Sequence, residues 1–253
     1  MKIYVIAHKK YEQPFKNEPQ IYKTLTVGAS NGNISNNNAL KDNVGENISE
    51  KNKNFCELTG LYWIFKNVSE DVVGIDHYRR YFVNESKHLL TEQRINQLLE
   101  NHDIILPEKA PVPDGRTIGQ YFSFQHDPLV WAKTRDIIKD KYPEYITDFD
   151  WVNYQKRAYL YNMLICRKNI FDQYCKWLFD ILFKLEKNID IEKYNSYNQR
   201  MFGFLSERLI NVWVHHQKLN VSEQAIDFTV PHLFTLKVKN KIKKIYSAAK
   251  ITK

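Results

Sequence analysis

The sequence predicts an α/β protein whose largely parallel sheet is flanked by helices. Short apolar runs with strand character alternate along the chain with segments of helical periodicity, the pattern of repeated β–α units. The chain has 253 residues, of which 43% are hydrophobic and 14% aromatic, enough for one large domain with a packed core. No G-x-G-x-x-G or G-x-x-x-x-G-K-[ST] motif occurs. Dinucleotide dehydrogenases and P-loop enzymes therefore have no motif support.

The first part of the chain predicts two strands, a long loop and a helix. Residues 3–7 and 22–28 are strand-like, and the polar segment 9–19 between them holds two prolines. Residues 29–47 are rich in Asn, Gly and Ser, so we expect mostly loop there. A loop of this length in a compact domain is usually functional or disordered. Apolar side chains at helical spacing favour a helix over 55–67.

The middle of the chain continues the alternation. The apolar run 72–75 predicts a strand, Leu90-Thr91 begins a helix, and 103–106 is a short strand stopped by a proline. Residues 107–117 combine Pro, Gly and charged side chains, which indicates a loop and a candidate lid or substrate-contacting segment. Asp127-Pro128 is typical of a helix start, with Asp as the N-cap and Pro in the first turn, and this helix should end near Lys141.

The last part of the domain predicts two strands and two helices. Residues 159–166 are strand-like, and Asn169 is expected to cap a long helix. A further helix covers 200–217, and 221–226 is expected to be the last strand. The three cysteines lie in apolar periodic segments without a C-x-x-C pair, so we expect buried free thiols rather than disulfides or a zinc site.

The positive charge of the chain is concentrated at its C-terminus. Residues 237–253 hold seven lysines and no acid, and removing them lowers the net charge from +8 to +1. A nearly neutral body argues against nucleic-acid binding, which requires a basic face. We therefore divide the chain into a domain over 1–230 and a basic tail over 231–253. The tail pattern predicts an amphipathic helix on an anionic membrane surface, with a disordered, solvated tail as the alternative.

Two adjacent arginines, Arg79 and Arg80, follow the predicted strand 72–75 at its carboxyl end. In open α/β sheets, ligands bind beyond the carboxyl ends of the strands. The planar guanidinium group matches phosphate oxygens and stays charged at any relevant pH. We therefore predict a clamp for a phosphorylated ligand, with the diphosphate of a nucleotide sugar as the favoured one. The alternative is a pair of surface arginines whose stems cover neighbouring aromatic side chains.

Several segments together resemble one family, the bacterial capsular and exopolysaccharide glycosyltransferases first catalogued as a domain of unknown function. Some members of this family are galactofuranosyl- or galactosyltransferase-like. The matching segments are Ile6–Lys9, Asp42–Ser49, Glu57–Trp63, Lys66-Asn67, Gly74–Phe82, Tyr161–Met163, Tyr174–Phe183 and Gly203–Leu209. The resemblance implies a GT-A-like (Rossmann-like) fold and a UDP-sugar donor.

The sequence departs from one common pattern of such enzymes. Many GT-A enzymes hold a divalent metal through Asp-x-Asp at the end of a middle strand, where this chain has Asp76-His77-Tyr78. The second carboxylate is missing, and Arg79 and Arg80 would neutralise the diphosphate instead. A mixed Asp76/His77 site for Mn²⁺ or Mg²⁺ stays open, because carboxylate and imidazole suit Mn²⁺.

The resemblance also implies catalytic roles. Arg79 and Arg80 would stabilise the charge on the departing diphosphate, and Glu207 would be the base that accepts the proton of the acceptor hydroxyl. The alternative for Glu207 is a glutamate in the first turn of a helix, stabilised by the helix dipole or paired with Arg208.

Further polar residues are assigned to the two substrates. His8 ends the first predicted strand, where nucleotide folds hold the base or ribose, although a polar histidine satisfied locally is the alternative. For Asp42, Asn47 and Ser49, the alternative is a structural role in Asx-turns and a helix cap. The donor-side candidates are His8, Asp42, Asn47, Ser49, Asp76, His77 and Tyr78, and the acceptor-side candidates are His126 and Asn162.

The expected function is inverting transfer of a hexosyl group, galactofuranose or galactose, from a UDP-sugar to a lipid-linked capsular or exopolysaccharide acceptor. The basic tail would hold this cytoplasmic enzyme at the inner face of the membrane. One alternative is a non-catalytic adaptor that binds a sugar or a lipid headgroup in a polysaccharide assembly complex. Another is a phosphate-ester hydrolase.

Overall fold

A computed structural model describes residues 1–15 and 18–229 of the chain. Its strands are β1 (Lys2–Ala7), β2 (Tyr22–Thr26), β3 (Leu40–Lys41), β4 (Val72–His77), β5 (Arg80–Phe82), β6 (Ile104–Pro107), β7 (Ala110–Pro111), β8 (Arg157–Ala158), β9 (Leu164–Arg167), β10 (Val221–Gln224) and β11 (Ile226–Phe228). Its helices are α1 (Asn52–Phe55), α2 (Leu58–Asn67), α3 (Glu92–Asn101), α4 (Ile118–Gln125), α5 (Pro128–Lys141), α6 (Ile146–Asn153), α7 (Lys168–Lys187) and α8 (Met201–His216).

The main sheet has the strand order β10-β6-β9-β4-β1-β2-β3. Parallel pairing joins β4 to β1, β1 to β2, β2 to β3, and β10 to β6. Strand β9 runs antiparallel to both of its neighbours, β4 and β6. Strand β5 folds back on the end of β4, and β11 extends this antiparallel ribbon. The sheet is therefore mostly parallel, and the carboxyl ends of β1, β2 and β4 lie at one edge.

The strands of the sheet are buried on both faces, as expected for parallel pairing. Along β1, Ile3, Val5 and Ala7 point to one face and Tyr4 and Ile6 to the other, because side chains alternate along a strand. The face of Tyr4 and Ile6 packs against the larger core, which includes buried side chains of α2, α5, α7 and α8. The opposite face packs against α3 and the aromatic residues of β5. This two-faced burial confirms the predicted α/β class.

A glycine allows α2 to lie close to the strands that end at this edge. A Cβ added at Gly60 would come within 2.7 Å of Ile6 Cδ1 and 2.8 Å of Val27 Cγ1. Such distances require the neighbours to shift, so any side chain at this position would push α2 away from β1 and β2. The close approach brings the start of α2 to the carboxyl ends of the strands.

Several predictions are confirmed. The helix starting at Asp127-Pro128 covers Pro128–Lys141, and the Asp127 side chain accepts a hydrogen bond from Leu129 N. Thr91 caps α3 in the same way, through a hydrogen bond from Arg94 N. The strands expected over 3–7, 22–28, 72–75 and 103–106 are present as β1, β2, β4 and β6.

Other predictions were wrong in detail. The strand expected over 159–166 covers only Leu164–Arg167, because Tyr161 and Asn162 have positive φ angles of 76° and 52°. Arg167, and not Asn169, occupies the N-cap position of α7, and it makes no side-chain capping bond. The helix expected over 55–67 is two helices, separated by a break at Cys56.

The sequence did not predict helices α4 and α6. Loop 107–117 contains β7, which pairs with β8, so its backbone is held in a small ribbon of its own. The tail, residues 231–253, lies outside the described residues. Among the helices that the structure describes, none combines the length and apolarity that a bilayer span requires.

Candidate active site

A cleft of about 620 Å³ lies at the carboxyl ends of β1, β2 and β4. Its floor is formed by Ile6 of β1, His8 directly after β1, Val27 directly after β2, and His77 at the end of β4. The start of α8 and the break between α1 and α2 form its walls. Parallel strands present their ends at one edge of a sheet, so the fold places this cleft where α/β proteins bind ligands.

Four cationic side chains line the cleft: Lys53, Arg79, Arg80 and Arg200. The guanidinium group of Arg79 lies 4.8 Å from the centre of the Tyr78 ring, and that of Arg80 lies 4.7 Å from the Tyr161 ring. Within the described residues, none of the three arginines forms a salt bridge to a carboxylate. Cation–π contacts hold such groups in place while leaving their N–H donors available for an anion.

Arg80 has an additional feature that favours anion binding. Its Nε atom is buried and has no hydrogen-bond partner among the described residues. Buried donors in native proteins are almost always satisfied, so an orphaned one at a cleft calls for an explanation. An oxygen atom of a bound anion would satisfy it.

Two carboxylates, Glu57 and Glu207, face these cations in the cleft. Glu57 Oε1 accepts a hydrogen bond of 2.6 Å from Asn162 Nδ2. Glu207 Oε2 accepts one of 2.6 Å from Arg208 Nη1. Burial raises the pKa of Glu207 above its ordinary value, although Arg208 opposes the rise, and the charge of Glu57 adds to it. A partly buried glutamate with a raised pKa has the property that general-base catalysis near neutral pH requires.

The two histidines of the cleft are uncharged near neutral pH. Burial and the charge of Arg80 lower the pKa of His77 to about 3. His77 Nε2 lies 2.7 Å from the carbonyl oxygen of Tyr161, so the neutral ring donates there and keeps Nδ1 as an acceptor. Partial burial and the charge of Arg79 lower the pKa of His8, whose ring meets Tyr78 edge-on at 5.4 Å. The positive charge of the cleft therefore comes from lysine and arginine alone.

Three residues beside the cleft have backbone angles that non-glycine residues rarely adopt. Cys56 has φ 51° and ψ −127° at the break between α1 and α2. Tyr161 and Asn162 are consecutive residues in the left-handed region. Such conformations cost about 1–3 kcal/mol each and cluster at functional sites. Asn162 Nδ2 also donates to Gly203 O at 3.0 Å, so this turn connects the start of α8 to Glu57.

The structure brings three of the seven predicted donor-side residues together in the cleft. His8, His77 and Tyr78 line the cleft with the two arginines of the predicted clamp, Arg79 and Arg80. The predicted base, Glu207, lies in the wall of the same cleft, on the first turns of α8.

Asp76 is not in this group. It is fully buried, and it lies on the face of β4 opposite to His77, because adjacent strand residues point to opposite faces. Its Oδ1 atom accepts a weak hydrogen bond from Phe82 N at 3.4 Å. Burial raises the pKa of this carboxyl well above its ordinary value. The two residues of the suggested mixed metal site are thus separated by the strand itself, and they do not fit one metal ion.

The described part of the chain holds no group of three His, Cys, Asp or Glu side chains placed to bind a metal ion. The described residues therefore do not define a place for Mn²⁺ or Mg²⁺.

Asp42 and Ser49 lie behind the cleft and not in its lining. Asp42 is fully buried, and its carboxylate accepts hydrogen bonds from Gly28 N at 2.9 Å and from Thr59 Oγ1 at 2.6 Å. Ser49 Oγ donates to the same carboxylate. Asn47 Oδ1 accepts from Ser49 N at 3.1 Å, as in an Asx-turn. These contacts join the loop after β2 to α2, so all three residues have structural partners here rather than an open face toward a donor.

The acceptor-side candidates also have protein partners. His126 is buried; its Nδ1 lies 2.8 Å from Asn198 Oδ1, and its ring stacks on Phe204 at 4.7 Å and on Tyr197 at 5.5 Å. Phe204 lines the cleft, and Tyr197 is 46% exposed. Phe204, Tyr197 and His126 therefore form a stacked aromatic surface beside the cleft, the aromatic ledge. Asn162 is buried too, and it holds Glu57 in position.

Sequence reasoning did not assign Lys53 and Arg200 to the site. Arg200 occupies the N-cap position of α8, where the helix dipole disfavours a cation. A positive side chain at the first position of the helix predicted over 200–217 was therefore a usable sign that a requirement other than helix stability selects it. Lys53 has no comparable sign, because lysine on a short polar helix is ordinary.

The strand order, the antiparallel β9 and the cleft at the strand ends define a GT-A-like α/β fold. The chain belongs to the family described as "Domain of unknown function (DUF4422)", whose pattern matches residues 2–218. It is also similar to the apo structure of WbbM, a bifunctional glycosyltransferase, with 30% identity and a TM-score of 0.82. The match covers 91% of this chain and 45% of that chain, so this protein spans less than half of WbbM. No curated protein matches the sequence.

Proposed function

We propose that this protein is a glycosyltransferase that uses a nucleotide-sugar donor and holds the donor diphosphate between Arg79 and Arg80. The observation that carries the proposal is the convergence, on a cleft at the carboxyl ends of β1 and β4, of arginines that form no salt bridge within the described residues, opposite the partly buried Glu207. The similarity to part of a bifunctional glycosyltransferase supports the same class of reaction.

The arginines would act on the leaving group. In glycosyl transfer the bond between the anomeric carbon and the diphosphate oxygen breaks, and negative charge develops on that oxygen. Preorganised cationic donors stabilise such charge, and removal of one donor costs about 2.7–4 kcal/mol in known cases. The Nε atom of Arg80, which has no partner among the described residues, and the guanidinium groups of Arg79 and Arg200 in the same cleft supply donors of this kind.

Glu207 would act on the acceptor. As the acceptor oxygen attacks the anomeric carbon, Glu207 takes the hydroxyl proton, the new C–O bond forms, and the nucleoside diphosphate leaves from the opposite side. This single displacement inverts the anomeric configuration. The raised pKa of Glu207 suits this step, because a stronger base removes the proton more readily. Arg208 holds Oε2, which leaves Oε1 for the hydroxyl.

The finer assignments extend the same proposal. The donor is a UDP-hexose, with galactofuranose or galactose as the transferred group, and the acceptor is a lipid-linked capsular or exopolysaccharide. The aromatic ledge of Phe204, Tyr197 and His126 offers apolar surface for an acceptor sugar at the mouth of the cleft. The seven lysines of residues 237–253 would hold the enzyme at the inner face of the cytoplasmic membrane, since each lysine near anionic lipid contributes about 1 kcal/mol.

Donor turnover tests this proposal. Nucleotide sugars are first screened by thermal shift with and without Mn²⁺, and UDP release is then measured with the donors that bind. A glycosyltransferase releases UDP slowly from the donor alone and faster with an acceptor, and it forms a glycosidic product. Hydrolysis at full rate without any acceptor would identify a phosphate-ester hydrolase. Binding without turnover for every donor and acceptor would identify a non-catalytic adaptor.

A further inference from the structure

A second cavity, of about 720 Å³, lies near the other end of α8. The C-terminal half of α8 contributes His215 to its lining, whereas the first turns of α8 contribute Glu207 to the cleft. Eight residue steps separate Glu207 from His215, which corresponds to about 12 Å along a helix. Helix α6, strand β8 and the start of β10 supply the other walls. The volume is within the range of about 300–1,000 Å³ that is usual for small-ligand sites.

The lining of this cavity is strongly cationic. Lys109, Lys156, Arg157 and Lys218 line it, and none of the described lining residues is an aspartate or a glutamate. Within the described part of the chain, none of these four cations forms a salt bridge. Unpaired like charges around one concave surface repel each other, and an anionic ligand would relieve this repulsion.

An exposed indole lies beside these charges. Trp151 is 44% exposed, and its ring stacks on the His215 ring with centroids 3.8 Å apart and planes 15° apart. Asp148 Oδ1 accepts a hydrogen bond from His215 Nδ1, which fixes the imidazole and through it the indole. Tryptophan is enriched at binding interfaces, and this indole presents a fixed aromatic surface to solvent.

The floor of the cavity is preorganised. Asn211 brackets the backbone of Tyr159, accepting from its N–H at 2.8 Å and donating to its carbonyl at 3.0 Å. The Tyr159 hydroxyl donates to Glu223 at 3.0 Å. Lys109 Nζ lies 4.7 Å from the centre of the Tyr159 ring. The Glu223 carboxylate is thus hydrogen-bonded to Tyr159, and the ammonium group of Lys109 is held over the Tyr159 ring before any ligand binds.

We propose that this second cavity binds an acidic oligosaccharide. Carboxylate or phosphate groups on the glycan would meet the four cations, and the apolar C–H face of a sugar ring would pack on Trp151. An anion without a sugar ring would make no stacking contact with the indole, and a neutral glycan would make no ionic contact with the four cations. The binding needs neither donor nor turnover, so it is independent of whether the cleft transfers a sugar.

Calorimetric titration of the full chain with hexagalacturonate, at low salt, tests this proposal. Maltohexaose serves as the neutral glycan, and citrate serves as the anion without a sugar. The variants are Lys156→Glu and Trp151→Ala, with Lys176→Glu and Phe124→Ala as matched controls. Lys176 and Phe124 are exposed and line neither cavity. The melting temperature of each variant is measured first, and Lys218→Glu replaces any variant that does not fold.

The expected result is binding of hexagalacturonate that Lys156→Glu and Trp151→Ala each weaken by about tenfold or more, the loss of one charge-assisted or stacking contact. Both controls should bind like the wild type. Equal binding by the two cavity variants would place the glycan elsewhere, for example on the lysines of residues 237–253, and would overturn the proposal. Binding of maltohexaose or of citrate with the same affinity would overturn it as well.

Discussion

Replacement of Arg80 by alanine is expected to weaken binding of UDP without unfolding the protein. The side chain lines the cleft at the end of β4, and its buried Nε has no partner within the described residues. Its guanidinium group contacts the Tyr161 ring at 4.7 Å and the Phe228 ring at 5.7 Å. The substitution therefore removes a donor to the ligand and two weak cation–π contacts, and it removes no ion pair of the described residues.

The size of the effect follows from these contacts. One hydrogen bond between a charged donor and a phosphate oxygen contributes about 1.5–3 kcal/mol. Its loss should raise the Kd for UDP by about 10- to 150-fold. Each lost cation–π contact costs about 0.5–1 kcal/mol of folding stability at a partly exposed site. Arg80→Lys should give an intermediate Kd, because lysine keeps the charge and loses the planar fork.

Isothermal titration of UDP into wild type, Arg80→Ala and Arg80→Lys measures the change. Arg94→Ala is the matched control, since Arg94 lies on α3 and lines neither cavity. Arg79→Ala should behave like Arg80→Ala, because its guanidinium group lines the same cleft. An unchanged Kd in both folded variants would refute the assignment of a diphosphate clamp to this pair.

Three further outcomes are expected. Glu207→Gln should keep the affinity for UDP and lose turnover, and the acid limb of the wild-type pH–rate profile should lie above the ordinary glutamate range, because burial raises the pKa of Glu207; normal turnover in the variant would exclude Glu207 as the base. Asp76→Asn should raise the melting temperature at pH 8, and the gain should shrink toward pH 4. The reason is that the raised pKa of Asp76 lets the folded state retain a proton that the unfolded chain has released, so wild-type stability falls as pH rises; a gain independent of pH would contradict this reasoning. Deletion of residues 237–253 should release the protein from anionic vesicles in a co-sedimentation assay, since seven lysines are lost; equal vesicle binding before and after deletion would discard the membrane role.

The fold was predictable from the sequence where the local signals, such as helix caps and apolar runs, agree with the tertiary contacts. Asp127-Pro128 has both the cap and the first-turn residue of a helix, and α5 begins there. The buried strands β1 and β4 are apolar runs of the expected length. The strand expected over 159–166 failed because Tyr161 has strand propensity, yet the chain turns there with positive φ. Tertiary contacts override propensity at that point, since Asn162 must reach both Glu57 and the start of α8.

Site residues could be predicted from the sequence where they directly follow a predicted strand, because the strand end fixes their position at one edge of the sheet. Arg79 and Arg80 could be placed from the strand that precedes them. Asp76 was grouped with His77 from the sequence, whereas the two-residue period of the strand places their side chains on opposite faces of the sheet. The roles of Asp42 and Ser49 could not be read from composition, because a buried carboxylate that caps a turn and one that faces a ligand have the same sequence signature.

The two carboxylates of the cleft show why residue type alone does not assign a role. Glu57 is held by a neutral amide from a strained turn, so its position depends on the connection between β8 and β9. Glu207 is held by Arg208, whose charge by itself would favour the ionised form, yet burial outweighs this effect and raises the pKa. A base must combine a proton affinity above that of a solvated carboxylate with an oxygen free for the substrate. Glu207 meets both conditions, because burial raises its pKa and Arg208 binds only Oε2. Glu57 is connected through Asn162 to the start of α8, since Asn162 Nδ2 donates to both Glu57 and Gly203 O.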